Sequence, residues 1–144
     1  MVQNLAIASD HAGFELKKYI IDNVNDDINL KDFGTDSNES CDFPDFAKDV
    51  CNYILNNESF RGLLICGSGV GMSIAANKIK GIRASNVVDE FTATQSVEHN
   101  NVNVLCLGSN NINEQKALSI IDKFLKAELI QEERYLRRIS KLEN

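Results

Sequence analysis

The sequence has no long hydrophobic run and no metal-binding motif, and no secretory leader is expected from the pattern of its first residues. No apolar stretch reaches about 18 residues, so no transmembrane helix and no membrane partner are predicted. Met1–Ser9 lacks the charged-then-apolar pattern of a secretory leader, and the simplest expectation is a cytoplasmic protein. Its 4 cysteines and 2 histidines form no Cys-x-x-C pair and no ligand spacing. We therefore expect neither disulfides nor a metal site.

The chain is also short of positive charge. Its 15 lysines and arginines are outnumbered by 21 aspartates and glutamates, which gives a net charge of -6. That balance argues against a nucleic-acid-binding surface. A length of 144 residues with 43% hydrophobic residues suits one domain over 1–144 with a substantial core.

Hydrophobic patterning predicts an alternating α/β fold. Nearly continuous apolar runs indicate strands that are covered on both faces, and residues with helical spacing lie between them. This order predicts a parallel sheet wrapped by helices. A charged segment at about 128–142 predicts an additional helix that packs on a partner subunit. The predicted strands are 4–9, 28–33, 62–66, 82–88 and 102–108.

A glycine-rich loop follows the third predicted strand in "LLICGSGVGMSIAANK", residues 63–78. It matches neither the Walker pattern nor a dinucleotide fingerprint. Glycine at 67, 69 and 71 would let the backbone approach a ligand closely, and a helix beginning near Val70 would direct free N–H groups at the loop. The stretch therefore predicts an anion or oxyanion site. A tight turn that needs glycine for packing is the alternative.

Reactive side chains end the first and third predicted strands, and parallel strands bring those ends to one edge of the sheet. The helix start beside Cys66 would stabilise its thiolate and make it a usable base. An inert thiol at a strand end remains an equal alternative. Asp10 and His11 follow the first strand, where Asp10 could equally cap the helix that begins near Gly13.

Two further groups raise a question of placement. His99 and Asn100 end the predicted fourth helix, so the topology puts them at the edge opposite Cys66. They are either structural or serve a neighbouring subunit's site. Arg134 and Arg138 share a helix face and could bind one phosphate, but their spacing alone favours a solvated basic face.

Four segments resemble the type B ribose-5-phosphate isomerases, grouped with the galactose-6-phosphate isomerase subunits. They are "SDHAGFELK" (9–17), "DFP" (42–44), "ICGSGVGMSIAANKIKGIRA" (65–84) and "EHNNVNVLCLGS" (98–109). The resemblance implies a three-layer α/β/α Rossmann-like sandwich with a five-stranded parallel sheet and an extra C-terminal helix. It also implies a homodimer or homotetramer with active sites at the dimer interface.

The resemblance implies an aldose–ketose isomerase of the pentose phosphate pathway. It would interconvert D-ribose 5-phosphate and D-ribulose 5-phosphate through an enediolate, without metal or cofactor. A hexose-6-phosphate isomerase acting on allose or galactose 6-phosphate is the alternative within the family. A non-catalytic sugar-phosphate-binding module is the alternative from another class.

By position, the resemblance also implies residue roles. Cys66 matches the base, and Ser68 keeps the hydroxyl of the threonine found in many members. His99 would help to open the furanose ring. The substrate-binding positions would be Asp10, His11, Gly67, Ser68, Gly69, Val70, Gly71, Asn100, Asn110, Arg134 and Arg138.

Two positions depart from the family pattern. Asn110 stands where some members have an arginine near the phosphate, so one cationic contact is expected to be missing. Phe43 replaces a tyrosine found in several members and removes a hydroxyl. Both departures bear on substrate preference and leave the isomerisation chemistry unchanged.

Overall fold

The computed structural model describes residues 3–143, in which strands and helices alternate as predicted and one further helix follows. No helix among these residues is long and apolar enough to cross a membrane. The strands are β1 Gln3–Ser9, β2 Ile28–Asp32, β3 Phe60–Cys66, β4 Ala84–Asn86 and β5 Val104–Gly108. The helices are α1 Phe14–Asn23, α2 Phe43–Leu55, α3 Val70–Asn77, α4 Glu90–Asn100, α5 Glu114–Lys126 and α6 Glu133–Leu142.

The five strands form one parallel sheet in the order β2-β1-β3-β5-β4. Strand β3 lies at its centre, with Ser9 of β1 opposite Ile65 and Gly108 of β5 opposite Cys66. The carboxyl ends of β1, β3 and β5 are therefore neighbours. The loops that follow them share one edge of the sheet.

Two hydrophobic cores cover the two faces of the sheet. One core joins the sheet to α1, α4 and α5, and its largest helical side chain is Phe124. The other joins the sheet to α2 and α3 and contains Val50 and Met72. Burial on both faces explains why the strand sequences are almost purely apolar. The predicted three-layer α/β/α sandwich is confirmed.

The predicted starts of β3 and β5 are each wrong by two residues, and two other elements differ more from their predicted bounds. The fourth strand covers only Ala84–Asn86 of the predicted 82–88, because the Arg83 N–H donates to the Asn103 side chain instead of extending the ladder. The last helix begins at Glu133 and not near 128. The Arg61 guanidinium binds carbonyls at the end of α5, including that of Ala127, and the Ile130 N–H donates to the Glu98 carbonyl. These contacts hold residues 127–132 as a non-helical connection.

Candidate active site

The glycine loop between β3 and α3 has a backbone conformation and close packing that leave no room for side chains at Gly69 and Gly71. Gly69 is the N-cap residue of α3 and has a φ of 81°, in the left-handed region that favours glycine. An added Cβ at Gly71 would lie 2.9 Å from the Phe43 ring. Phe43, one of the two departures from the family pattern, thus packs directly on the loop.

The Cys66 sulfur accepts a hydrogen bond from this loop. Cys66 is the last residue of β3 and is 5% exposed, and the Gly69 N–H donates to its Sγ at 3.2 Å. In the first turn of α3, the N–H groups of Gly71 and Met72 have no partner inside the helix. The predicted combination of a thiol and an amide-lined loop is therefore present in the geometry.

The Ser68 hydroxyl is oriented by the same helix start. Ser68 is exposed, and its Oγ accepts a hydrogen bond from the Val70 N–H at 3.3 Å. Because Oγ is the acceptor in this contact, the hydroxyl proton is free to be donated elsewhere.

The other buried cysteines have a different environment. Cys51 and Cys106 are completely buried among apolar side chains, and all four cysteines are free thiols. Burial raises the pKa of Cys51 to about 12. Burial, followed by the nearby thiols Cys51 and Cys66, raises the pKa of Cys106 well above its usual value. These two sulfurs are core side chains, as predicted for most of the cysteines.

Asp10 and His11 lie beside the Cys66 loop, where β1 ends. The Asp10 Oδ1 accepts the Gly13 N–H at 3.1 Å, which closes the turn before α1, and no side-chain hydrogen bond caps the first turn of this helix. The His11 Nδ1 accepts the backbone N–H of Cys41 at 3.2 Å. A neutral His11 therefore carries its proton on Nε2, which makes Nε2 a donor.

Asn110 comes to the same edge from the loop after β5. Its N–H donates to the Gly67 carbonyl at 2.9 Å, and its exposed amide group lies beside Gly67. The structure thus brings together one set of predicted residues, called here the Cys66 cluster. Its members are Asp10, His11, Cys66, Gly67, Ser68, Gly69, Val70, Gly71 and Asn110.

The other predicted residues form a second group, called here the His99 cluster: His99, Asn100, Arg134 and Arg138. The His99 ring stacks on Tyr135 with centroids 4.3 Å apart and an interplanar angle of 14°. The Arg134 guanidinium lies 4.7 Å from the centre of the same Tyr135 ring. Tyr135, which the sequence did not single out, therefore links α4 to α6.

Arg138 differs from its neighbours Arg134 and Arg137. Arg137 forms an ion pair with Glu133, and Arg134 forms one with Glu132 at 2.9 Å. Within residues 3–143, no ion pair holds the exposed Arg138. Arg138 can therefore receive an anion without first losing a carboxylate partner.

The two clusters lie at opposite edges of the sheet within one chain. Helix α4 ends at Asn100, and the nearby Asn103 carbonyl accepts the Gly62 N–H near the beginning of β3. Cys66 follows at the far end of β3, about 13 Å along the strand at roughly 3.3 Å per residue. One chain therefore does not bring His99 to Cys66, as the topology predicts.

Two asparagines that the sequence analysis missed also contact the loop. The amide groups of Asn86 and Asn111 both donate to the Ser68 carbonyl, at 3.0 and 3.1 Å. They come from the ends of β4 and β5, far from Ser68 in sequence. No local motif could have indicated this contact.

Taken together, the fold and site define a class: Rossmann-like α/β domains that present a hydrogen-bonded thiol and a glycine-rich loop at the carboxyl edge of a parallel sheet. Within that class, a family model described as Ribose/Galactose Isomerase matches residues 5–142. The chain belongs to this family.

Individual relatives agree with the assignment over almost the whole chain. A probable ribose-5-phosphate isomerase B of Mycoplasma genitalium is 43% identical, with 96% of this chain and 93% of that protein covered. The Clostridium thermocellum ribose-5-phosphate isomerase B structure has a TM-score of 0.93 at 42% identity and covers 98% of this chain and 95% of its own. The Mycoplasma genitalium ribose-5-phosphate isomerase B structure contains bound ribulose-5-phosphate; it has a TM-score of 0.89 at 41% identity, with 99% and 95% covered.

Proposed function

We propose that the protein is an aldose–ketose isomerase that interconverts D-ribose 5-phosphate and D-ribulose 5-phosphate. The observation that carries the proposal is the Cys66 sulfur accepting the Gly69 N–H, at the head of an amide-lined loop. A base beside an oxyanion-accepting loop is what proton transfer next to a carbonyl requires. The names of the relatives, one of them with ribulose-5-phosphate bound, supply the substrate class.

In the proposed reaction, Cys66 acts as its thiolate on the open-chain sugar. The sulfur takes the proton from carbon 2, and the electron pair of that bond forms a double bond between carbons 1 and 2. The aldehyde oxygen receives the negative charge and gives an enediolate. The thiol then returns a proton to carbon 1 while the carbonyl forms at carbon 2, so no redox cofactor is consumed.

The loop would stabilise the enediolate oxygen. The N–H groups of Gly67 to Gly71 are proposed to line the hole. Because the Gly69 N–H binds the sulfur and the Val70 N–H binds the Ser68 Oγ, the enediolate oxygen would be bound by other N–H groups of this loop. One such donor contributes about 3–4 kcal/mol to a transition state. The Ser68 hydroxyl is proposed to move the proton between the two sugar oxygens. This role suits a hydroxyl whose oxygen accepts the Val70 N–H and whose own proton is free.

A second subunit would complete the site. We propose a homodimer, or a pair of dimers, in which the His99 cluster of one chain faces the Cys66 cluster of the other. His99 would open the furanose ring, and Asn100, Arg134 and Arg138 would hold the sugar phosphate. This arrangement would use both clusters although they lie at opposite edges of one chain. Phosphate bound away from the reacting carbons would orient them.

Conversion of ribose 5-phosphate to ribulose 5-phosphate tests the function directly. We expect the purified protein to have a higher kcat/KM for ribose 5-phosphate than for allose or galactose 6-phosphate. A higher value for a hexose phosphate would favour the alternative within the family. Binding of sugar phosphates without any conversion would favour a non-catalytic module.

A further inference from the structure

The carbonyl of Ser68 is held by two side-chain amides from two different strand ends. Asn86 is the last residue of β4, and its Nδ2–H donates to the Ser68 carbonyl at 3.0 Å. Asn111 lies in the loop after β5, and its Nδ2–H donates to the same carbonyl at 3.1 Å. A carbonyl oxygen has two lone pairs, so both positions on this acceptor are filled. Neither asparagine belongs to the residues implied by the family resemblance.

The Ser68 carbonyl and the Gly69 N–H belong to the same peptide group. Cis peptide bonds within residues 3–143 are confined to Gly34–Thr35, so the Ser68–Gly69 peptide is trans. In a planar trans peptide the C=O and N–H point in opposite directions. Fixing the oxygen therefore fixes the direction of the N–H, which reaches the Cys66 Sγ at 3.2 Å.

We propose that Asn86 and Asn111 are positioning residues that hold the Ser68–Gly69 peptide so that its N–H faces the Cys66 sulfur. Their amide groups donate to the Ser68 carbonyl and act through it on the N–H at the other side of the peptide. A donor that is already oriented needs no reorganisation to bind the thiolate, both before the sulfur takes the proton and after the sulfur returns it. The two amides thus keep one donor of the site in place throughout the reaction cycle.

Packing around the peptide leaves it little room to turn. A Cβ added to Gly69 would lie 2.4 Å from the Asn86 Oδ1, and one added to Gly108 would lie 2.5 Å from the Ser68 carbonyl carbon. The Asn86 Oδ1 is buried and has no hydrogen-bond partner among residues 3–143, so this amide is oriented by its Nδ2 contact with Ser68. The ends of β4 and β5 therefore enclose the peptide from two sides.

The first test measures the thiol and does not depend on any substrate. Asn86→Leu, Asn111→Leu and the double variant remove one or both amide donors while keeping a side chain of similar size. The ultraviolet absorbance of thiolate is followed against pH, and subtracting the same protein with Cys66→Ala isolates the Cys66 signal. We expect the midpoint to move to higher pH in each single variant, and by about one pH unit in the double variant.

Asn57→Leu is the matched control. Asn57 is also a half-buried asparagine that donates to one carbonyl, that of Tyr53 at 2.9 Å, but it lies before β3 at the opposite edge. Its titration should equal that of the parent protein. If Asn86→Leu does not fold, Asn111→Leu, at an exposed position, must still move the midpoint. A folded Asn111→Leu or double variant with the parent's midpoint would overturn the proposal.

The second test rests on the proposed function and is read separately. The double variant should lose about tenfold in kcat for ribose 5-phosphate with little change in KM, because the sulfur and not the phosphate contact is affected. If the variants shift the thiol midpoint but the parent protein has no isomerase activity, the positioning role is supported and the proposed function is rejected. An active parent whose double variant keeps its midpoint and kcat would reject the positioning role alone.

Discussion

Replacing Gly69 by alanine should separate catalysis from stability, because a second glycine provides a matched control. Gly69 has a φ of 81° and Gly81 a φ of 90°. Both are therefore in the left-handed region, where a Cβ costs about 1–2 kcal/mol. Gly69 lies beside the Cys66 sulfur, whereas Gly81 follows α3 near the opposite edge of the sheet.

The surroundings of the two positions predict different outcomes. At Gly81 the new Cβ would meet a terminal methyl group of Leu55 at 3.0 Å, and this exposed side chain can move away. At Gly69 the Cβ would lie 2.4 Å from the Asn86 Oδ1, so the peptide itself must turn. Turning removes the N–H from the Cys66 sulfur. A hydrogen bond to a charged group is worth about 1.5–3 kcal/mol, so its loss should lower kcat by about 10- to 100-fold.

The assay compares kcat for ribose 5-phosphate with the free energy of unfolding in urea for Gly69→Ala, Gly81→Ala and the parent. Both variants should lose at least about 1 kcal/mol of stability. Only Gly69→Ala should lose most of its turnover. A folded Gly69→Ala protein with the parent's kcat would refute this reasoning, as would an equal loss of kcat in Gly81→Ala.

Three other perturbations address the second cluster and a buried thiol. Mixing Cys66→Ala chains with His99→Ala chains should restore about a quarter of the parent's activity, because half of randomly formed dimers contain one intact site. Arg138→Ala should raise KM about tenfold by removing a charged phosphate contact, whereas Arg137→Ala should not. Above about pH 9 the free energy of unfolding should fall more steeply in the parent than in Cys51→Ala, because burial raises the Cys51 pKa from 9.0 to about 12.

Each of these three predictions has a result that would contradict it. Verified mixed dimers that stay inactive would exclude a site shared between Cys66 and His99. Equal KM values for the Arg138→Ala and Arg137→Ala proteins would remove the role given to Arg138. Because burial raises the pKa of the Cys51 thiol, the contribution of this thiol to the free energy of unfolding is complete below about pH 9 and is lost as the pH rises toward 12. A parallel pH dependence in Cys51→Ala would contradict the burial argument.

The sequence predicted the layers of the fold because burial on both sides of a parallel sheet leaves a direct mark. Runs such as Leu63–Ile65 are entirely apolar and completely buried. The ends of elements were harder to predict. The start of α6 at Glu133 depends on Arg61, which comes from β3 and binds the carbonyls at the end of α5. A contact between residues so far apart in the chain has no local sequence signal.

The same distinction applies to the candidate site. The placement of Cys66 and His11 at one edge followed from strand ends alone, and so did the remoteness of His99. Family resemblance added Arg134 and Arg138, whose spacing by itself indicates only a basic face. The Asn86 and Asn111 contacts could not be predicted, because their side chains meet Ser68 only after β4 and β5 take their places in the sheet.

The most direct measurement is kcat for ribose 5-phosphate in Cys66→Ala, with Cys106→Ala as the control. If the Cys66 sulfur carries the proton between carbons 2 and 1, kcat should fall by at least about 10²-fold with little change in KM. Cys106→Ala removes a fully buried sulfur from the neighbouring strand and should cost stability only. A Cys66→Ala protein that turns over within about tenfold of the parent would contradict the assignment of Cys66 as the base.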